Sequence, residues 1–377
     1  MDVVEQVGNV LSDGAGDISE RKLAQDSDAV PSVLYPEQQR LGALLATAEG
    51  GPSAPLRGMQ AIGVGAAVVV SAVAGDGWAA DVGMSQPNDL LRVSAALTGV
   101  AILLFLLPLS SAHSALKPGG TLEQLGVGVQ MISEADARRL GRWRAALLGI
   151  AVLWVLSGLT VVSRVAASDT GANTYVAEWA RTLNTIAVGL THLTLTPTMT
   201  AGWFPAMQTA SCLCRDSVTE AIKKVRAYEP AANGDNGDEA WEEVAASVLA
   251  LREPMERLSA GFGPGLLGLA AGLLTAALAA FTWAINAEMC DTLDATAGAP
   301  PGFHRSLYFG GAVCMALFPL ALASDLAETS SRCDMLVDTL NDAAIEHRAQ
   351  RNSIQGLIWS LRWLVRIQHL SSLLKPR

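Results

Sequence analysis

The chain has 377 residues, half of them apolar and only 16% charged, with a positive mean hydropathy. That balance excludes an ordinary water-soluble globular domain. The formal charge of −10 excludes nucleic acid as a partner, because no basic stripe is present to replace phosphate counterions.

Residues 1–58 are acidic and turn-rich and lack the basic start, apolar stretch and small-residue cleavage site of a secretory leader. The first apolar run is therefore expected to stay in the protein as an anchor. A Ser/Asp/Gly-rich start reads as disordered to about Asp28, Ser32 to Ala48 as a short helix, and Gly50, Gly51, Pro52 and Pro55 as a break before the membrane.

About 20 apolar residues cross the hydrocarbon of a bilayer. Runs approaching that length lie at 59–75, 93–113, 145–165, 184–205, 260–285 and 306–324. The expected fold is an all-α, polytopic transmembrane helical bundle over 59–324, with six spans and long cytoplasmic helix extensions. The first run is short and Gly-rich, and the fourth is polar. A further segment, Ile354 to Leu374, is long enough to span, but Arg362, Arg366 and His369 share one side of it. Each arginine held at mid-bilayer costs at least about 2.5 to 3.5 kcal/mol. With Ile354, Leu357, Ile358, Leu361, Leu364 and Val365 on the opposite face, the segment reads as an amphipathic helix on the inner membrane surface or against the other helices. Residues 325–377 are accordingly expected to form a cytoplasmic helical C-terminal region.

Orientation follows from Lys and Arg. Of the 26 such residues, only Arg92, Arg164, Arg181 and Arg305 fall in the segments alternating with the amino-terminal side. The amino terminus and the loop at 206–257 are therefore expected in the cytoplasm. Cys212, Cys214 and Cys333 then lie inside, Cys314 in the sixth run and Cys290 alone outside, so no intrachain disulfide is expected. Cys212 and Cys214 lack the second ligand pair of a zinc site.

The loop at 206–257 carries two helical patterns. Cys212 to Tyr228 places Val218, Ile222 and Val225 on one face, Asn233 to Glu239 reads as a flexible turn, and Trp241 to Leu258 places Val244, Val248, Leu251, Met255 and Leu258 together before running into the fifth span. Beyond the sixth run, Leu326, Cys333, Leu336, Val337, Leu340 and Ala344 continue an amphipathic helix expected to pack on those loop helices. In the fifth span Gly261, Gly265, Gly268 and Gly272 recur every three or four residues, a spacing that allows close helix packing. Pro264 beside them offers the sharper reading of a gating hinge.

Neither G-x-S-x-G, H-E-x-x-H nor a Walker loop occurs. His113, His192, His304, His347 and His369 are scattered, without a Cys or carboxylate at metal-ligand spacing. The chain is not expected to be an enzyme or to hold a metal or cofactor. The unusual span is the fourth, with Thr191, His192, Thr194, Thr196, Thr198 and Thr200 around Pro197. Pro197 should kink the helix, and nearby threonine hydroxyls can satisfy the carbonyl it frees. His192 in a span is expected to face other helices or water. Together with Thr98, Ser157, Thr160, Thr191 and Tyr308 it is a candidate lining for an outward-open pocket for a small-molecule ligand; a hydrogen-bonded interhelical histidine is the alternative.

Three stretches carry a resemblance: Val33-Leu34-Tyr35-Pro36 followed by Arg40-Leu41-Gly42, the run from Val248 to Phe262, and the run from Ala323 to Ala344. With the order of spans and loops, they resemble the gustatory-receptor-like members of the insect chemoreceptor superfamily. Family members of known function are seven-span, tetrameric, ligand-gated cation channels. The resemblance implies a homotetrameric receptor subunit in the plasma membrane, assembling through the loop and fifth-span helices. The family's seventh, pore-lining span is expected to be truncated or diverged beyond recognition here, so no pore residue is carried over. Two other classes stay open: a small-solute transporter, and a non-conducting membrane scaffold whose inner helices bind a partner.

Overall fold

The computed structural model describes residues 36–81, 84, 87–126, 134–167, 175–228, 237–346 and 351–360. It is about 90% helical, with no strand among the described residues. In chain order the helices are α1 (Pro36–Leu45), α2 (Ala54–Asp81), α3 (Asp89–Leu104), α4 (Leu106–Leu116), α5 (Thr121–Gly126), α6 (Glu134–Ala167), α7 (Tyr175–Thr198), α8 (Phe204–Ala227), α9 (Gly237–Leu249), α10 (Arg252–Ile285), α11 (Ala287–Ala297), α12 (Phe303–Glu346) and α13 (Arg351–Ser360). A π-helical turn, Met199–Trp203, joins α7 to α8. The start expected to be disordered, most of the turn expected at Asn233 to Glu239, and Arg362, Arg366 and His369 lie outside the described residues.

Three helical stretches, Ala54–Ala80, Asp89–Leu116 and Ala240–Ile285, are long and apolar enough to cross a membrane. At 1.5 Å per residue the shortest reaches about 40 Å, against about 30 Å of hydrocarbon. The chain thus has the helices of a membrane protein. The run at 59–75 is part of a longer helix than its apolar core suggests, because Pro55 starts α2 without breaking it.

Local chemistry sets the ends and breaks. Asn88 caps α3, its side-chain oxygen accepting from the Leu91 N–H at 3.0 Å. Pro108 cannot donate to the Leu104 carbonyl, and the helix breaks nearby, at Phe105, between α3 and α4. Ser53 ties α1 to α2: its hydroxyl donates to the Leu44 carbonyl at 2.5 Å and accepts from the Leu56 N–H at 3.2 Å.

Around the bundle α6 packs on α7, α7 on α2, α2 on α3, α3 on α10, and α10 on α12. These contacts use small residues. A Cβ added at Gly99 of α3 would collide with Ser71 and with the Ala67 carbonyl of α2, and one at Gly77 of α2 would lie 2.9 Å from the Arg181 backbone of α7. The large apolar residues point the other way: Val68, Leu153, Leu156, Leu267, Leu278 and Leu317 are exposed.

At the other end of the same helices the pattern inverts. Val218, Ile222 and Val225 of α8, Trp241, Val244 and Val248 of α9, Met255 and Leu258 of α10, Leu336 and Leu340 of α12, and Ile354 and Leu357 of α13 are buried in one core. The faces read from the periodicity of 212–228 and 241–258 are the faces this lobe buries. Glu220 with Lys223, Arg252 with Glu256, and Glu253 with Arg257 ring its outside as helix-surface ion pairs.

Candidate functional site

Thr98 lies on α3 and donates its hydroxyl to the Ser94 carbonyl at 2.8 Å. On α7, Thr191 donates to the Ala187 carbonyl, and His192 Nδ1 lies 2.8 Å from the Val188 carbonyl. Because a carbonyl only accepts, that ring nitrogen is the protonated one. Tyr308 lies on α12 against Trp283, ring centroids 4.9 Å apart. Ser157 and Thr160 lie on α6, their side chains outside those described. Thr191 and His192 thus sit on a helix whose chief neighbours are α2 and α6, whereas Thr98 and Tyr308 belong to the α3–α10–α12 half of the bundle.

Threonines dominate α7 for a local reason. Thr185, Thr191, Thr194 and Thr198 each donate to the carbonyl four residues back, at 2.7 to 2.8 Å, and Thr200 bonds the Thr196 carbonyl. Such back-bonding hides hydroxyls in an apolar setting and bends the helix slightly. Neither Thr194 nor Thr198 turns to the Leu193 carbonyl that Pro197 frees. Instead the irregularity falls just beyond Pro197, in the π turn. Pro205 cannot donate to the Ala201 carbonyl, and the Phe204 N–H reaches the Met199 carbonyl, five residues back.

This turn is a packing hub. Leu41 of α1 and Leu116 of α4 sit against Gly202, and Trp203, fully buried, lies against Phe204, Phe262 and Gly265. Gly265, Gly268 and Gly272 of α10 receive Ser111, Leu107 and Phe105 respectively, while Gly261 receives Thr121. Ser111 donates to the Gly261 carbonyl at 2.5 Å, and the Leu104 carbonyl left without its donor by Pro108 lies against Gly268. Among the described residues the Trp203 indole N–H has no hydrogen-bond partner.

Two polar clusters escaped the sequence reading. At the end of the bundle near α11, Asn88 and Asn286 donate side-chain N–H groups to each other's oxygens at 3.2 and 3.1 Å, and Asn286 also caps α11 through the Met289 N–H. Beside them Trp78 packs edge-on against Trp283, 4.8 Å between centroids, and Trp283 against Tyr308. Next to Tyr308, the buried Asp294 carboxylate accepts from the Gly302 N–H at 2.6 Å, the His304 N–H at 3.0 Å and His304 Nδ1 at 2.6 Å. The His304 backbone N–H first, with the His304 ring and the Gly302 N–H, holds this carboxyl below the usual carboxylate range. The signal available was the Gly-x-Pro-Pro-Gly run at 298–302, a tight return that brings residues ten apart together.

At the opposite end Glu328 of α12 takes Arg215 of α8 at 2.8 Å and Arg139 of α6 at 3.2 Å. Arg215 is almost fully buried and also donates to Cys212 Sγ; Ser211 and Thr329 hydroxyls meet at 2.9 Å one turn away. Further along the same face, burial pushes the Cys214 and Cys333 thiols up to about 12. Among the described residues no three His, Cys, Asp or Glu side chains converge as a metal site. No protein-family model, curated protein or solved structure matches the chain.

Proposed function

We propose that this chain is a six-span, chemoreceptor-like protein of the plasma membrane, with its amino terminus and largest loop in the cytoplasm, and that it serves as a subunit of a homotetrameric ligand-gated cation channel. The observation that carries the reading is the inversion of burial along single helices. On α10, Leu267 is 67% exposed while Met255 is 2% exposed; on α12, Leu317 is 56% exposed while Leu336 is fully buried. Large side chains facing out over small ones match lipid as solvent, and large side chains facing in match water. The same outward apolar face on α6 and α12 supports spans beyond the three most apolar, and the concentration of Lys and Arg on the lobe side supports a cytoplasmic lobe.

Continuous helices then join a membrane half to a packed cytoplasmic half through the π turn, the glycine contact of α10 and the Arg139–Glu328–Arg215 clasp. That continuity suits a receptor, which must pass a change at one end to the other. The ligand site in this reading lies toward the α11 end, in the half of the bundle that carries Thr98 and Tyr308. The test is the chain expressed alone in oocytes, with single cysteines placed before residue 58 and within 230–238. Labelling of both positions from the cytoplasm, tetramers on native gels and ligand-evoked cation current support the proposal. Labelling from opposite faces refutes the topology; saturable uptake without channel current supports a transporter, and neither current nor uptake a scaffold.

A further inference from the structure

The chain is acidic overall, yet the start of α6 concentrates Arg138, Arg139, Arg142 and Arg144 within two helical turns around Trp143. Arg138 and Arg142 are exposed, as is Trp143 at 45%. Arg139 and Arg215 share Glu328, and counted with Glu134 and Asp136 the five arginines here outnumber the three carboxylates. Glu134 and Asp136 lie one turn earlier on α6, at the end remote from its apolar part.

The face bearing Arg138 and Arg142 continues along α6 at three- and four-residue spacing into Val152, Leu156 and Leu159, all exposed, with Leu153 beside them. From Arg142 to Arg164, at the other end of α6, is about 33 Å at 1.5 Å per residue, close to the roughly 30 Å of hydrocarbon in a bilayer. Lipid tails lying on the leucine face therefore end, on the lobe side, at the level of Arg142 and Trp143. An indole at that level is an interfacial anchor, and guanidiniums there meet phosphates, to which they bond bidentately.

We propose that Arg138 and Arg142, with Trp143, form a binding surface for the headgroups of anionic phospholipids in the inner leaflet. The inference rests on the six-span reading, which places this end of α6 at the inner membrane surface. Zwitterionic headgroups carry the same phosphate but no net charge, so the surface selects by charge. Each guanidinium is worth about fivefold in binding near a charged bilayer surface.

The test uses the full chain purified in detergent with equimolar phosphatidylserine and phosphatidylcholine, with retained lipids counted by native mass spectrometry. Phosphatidylserine should be enriched on the wild-type chain. The enrichment should fall on the order of 25-fold in the double variant R138Q/R142Q and stay unchanged in R252Q, where the replaced guanidinium pairs with Glu256. It should also weaken steeply as salt is raised on the wild-type chain, a readout that needs no variant to fold. Equal retention of the two lipids, enrichment indifferent to salt, enrichment preserved in R138Q/R142Q, or full competition by inorganic phosphate at equal concentration would overturn the proposal. Cysteines in 127–133 and 168–174 separate the two layers of argument. Labelling from one face only defeats the six-span reading, whereas labelling from opposite faces without lipid preference defeats the lipid surface alone.

Discussion

Adding one methyl group at Gly265 tests whether α10 is held against α4 and the π turn as described. A Cβ there would lie 2.6 Å from Trp203 Nε1 and 2.7 and 2.8 Å from Ser111 Cβ and Oγ, whereas carbon contacts are relaxed at about 3.5 to 4.0 Å. Neither neighbour can swing away: Trp203 is fully buried, and Ser111 is tied to the Gly261 carbonyl of the same helix. The helices must separate by close to an ångström. Such overpacking costs about 1–3 kcal/mol, and loss of the Ser111 hydrogen bond about 1 kcal/mol more. Replacing a helical glycine by alanine returns about 1 kcal/mol, so Gly265→Ala is expected to destabilise by about 1–3 kcal/mol. Gly263, two residues earlier with nothing near its missing Cβ, is the control: Gly263→Ala receives the propensity gain of up to about 1 kcal/mol without the clash. Melting of both variants in the same detergent, followed by fluorescence-detected size exclusion, should place Gly265→Ala well below wild type and Gly263→Ala at or above it. Equal melting temperatures for the two would refute the packing argument.

Four other outcomes are expected. Glu328→Gln leaves the buried Arg215 without its carboxylate; since Glu328 is itself about 39% exposed, the cost should be about 1–3 kcal/mol rather than the larger loss of a fully buried pair, and Glu328→Gln with Arg215→Met together should recover most of it in chemical denaturation. Asp294 has its folded pKa lowered, so the stability it contributes is present above the unfolded value of about 3.9 and fades as pH falls through the folded one. Hydrogen exchange at the Gly302 and His304 amides should therefore stay slow from neutral pH to about pH 4, quicken below it, and be fast throughout in Asp294→Asn. Cys214 and Cys333, with thiols pushed up to about 12, should resist maleimide at neutral pH until detergent denaturation exposes them, as mass spectrometry of the alkylated chain will read. On α12, Leu336→Ala should cost about 2–5 kcal/mol, while Leu317→Ala, at an exposed position, should stay within about 0.5 kcal/mol of wild type.

Helix existence was legible because apolar residues recur at helical spacing and Gly/Pro clusters interrupt them. Val218, Ile222 and Val225, or Trp241, Val244 and Val248, point the way their period says, since this lobe buries its large apolar side chains in one core. The polar clusters were not legible. Asn88 and Asn286 are 198 residues apart, and Glu328 meets arginines from two other helices; neither partner is written in local spacing. Asp294 and His304 are close in sequence, yet ten residues across a Gly/Pro loop is not a helical or metal-ligand interval, so the pair was passed over. The π turn was half legible. Pro197 announced a disturbance, but its position depends on Pro205, eight residues on, and on which carbonyl the next free N–H can reach.

The hardest feature to read was the inversion of burial along one helix, and α12 shows why. In its first half the outward residues are Leu307, Phe309, Val313 and Leu317; in its second half the apolar residues Cys333, Leu336 and Leu340 point inward. A periodicity summed over all 44 residues adds an apolar face turned outward to one turned toward the lobe core, and the two partly cancel. Composition finds the first half and periodicity the second, but each method taken over the whole helix weakens what the other reveals. Glu328 lies between these two halves and takes arginines from α6 and α8. A clasp there, only partly open to solvent, is screened less by water and salt than an ion pair on the open surface. The Arg139–Glu328–Arg215 contact is thus best placed to hold the two halves of the bundle in one register.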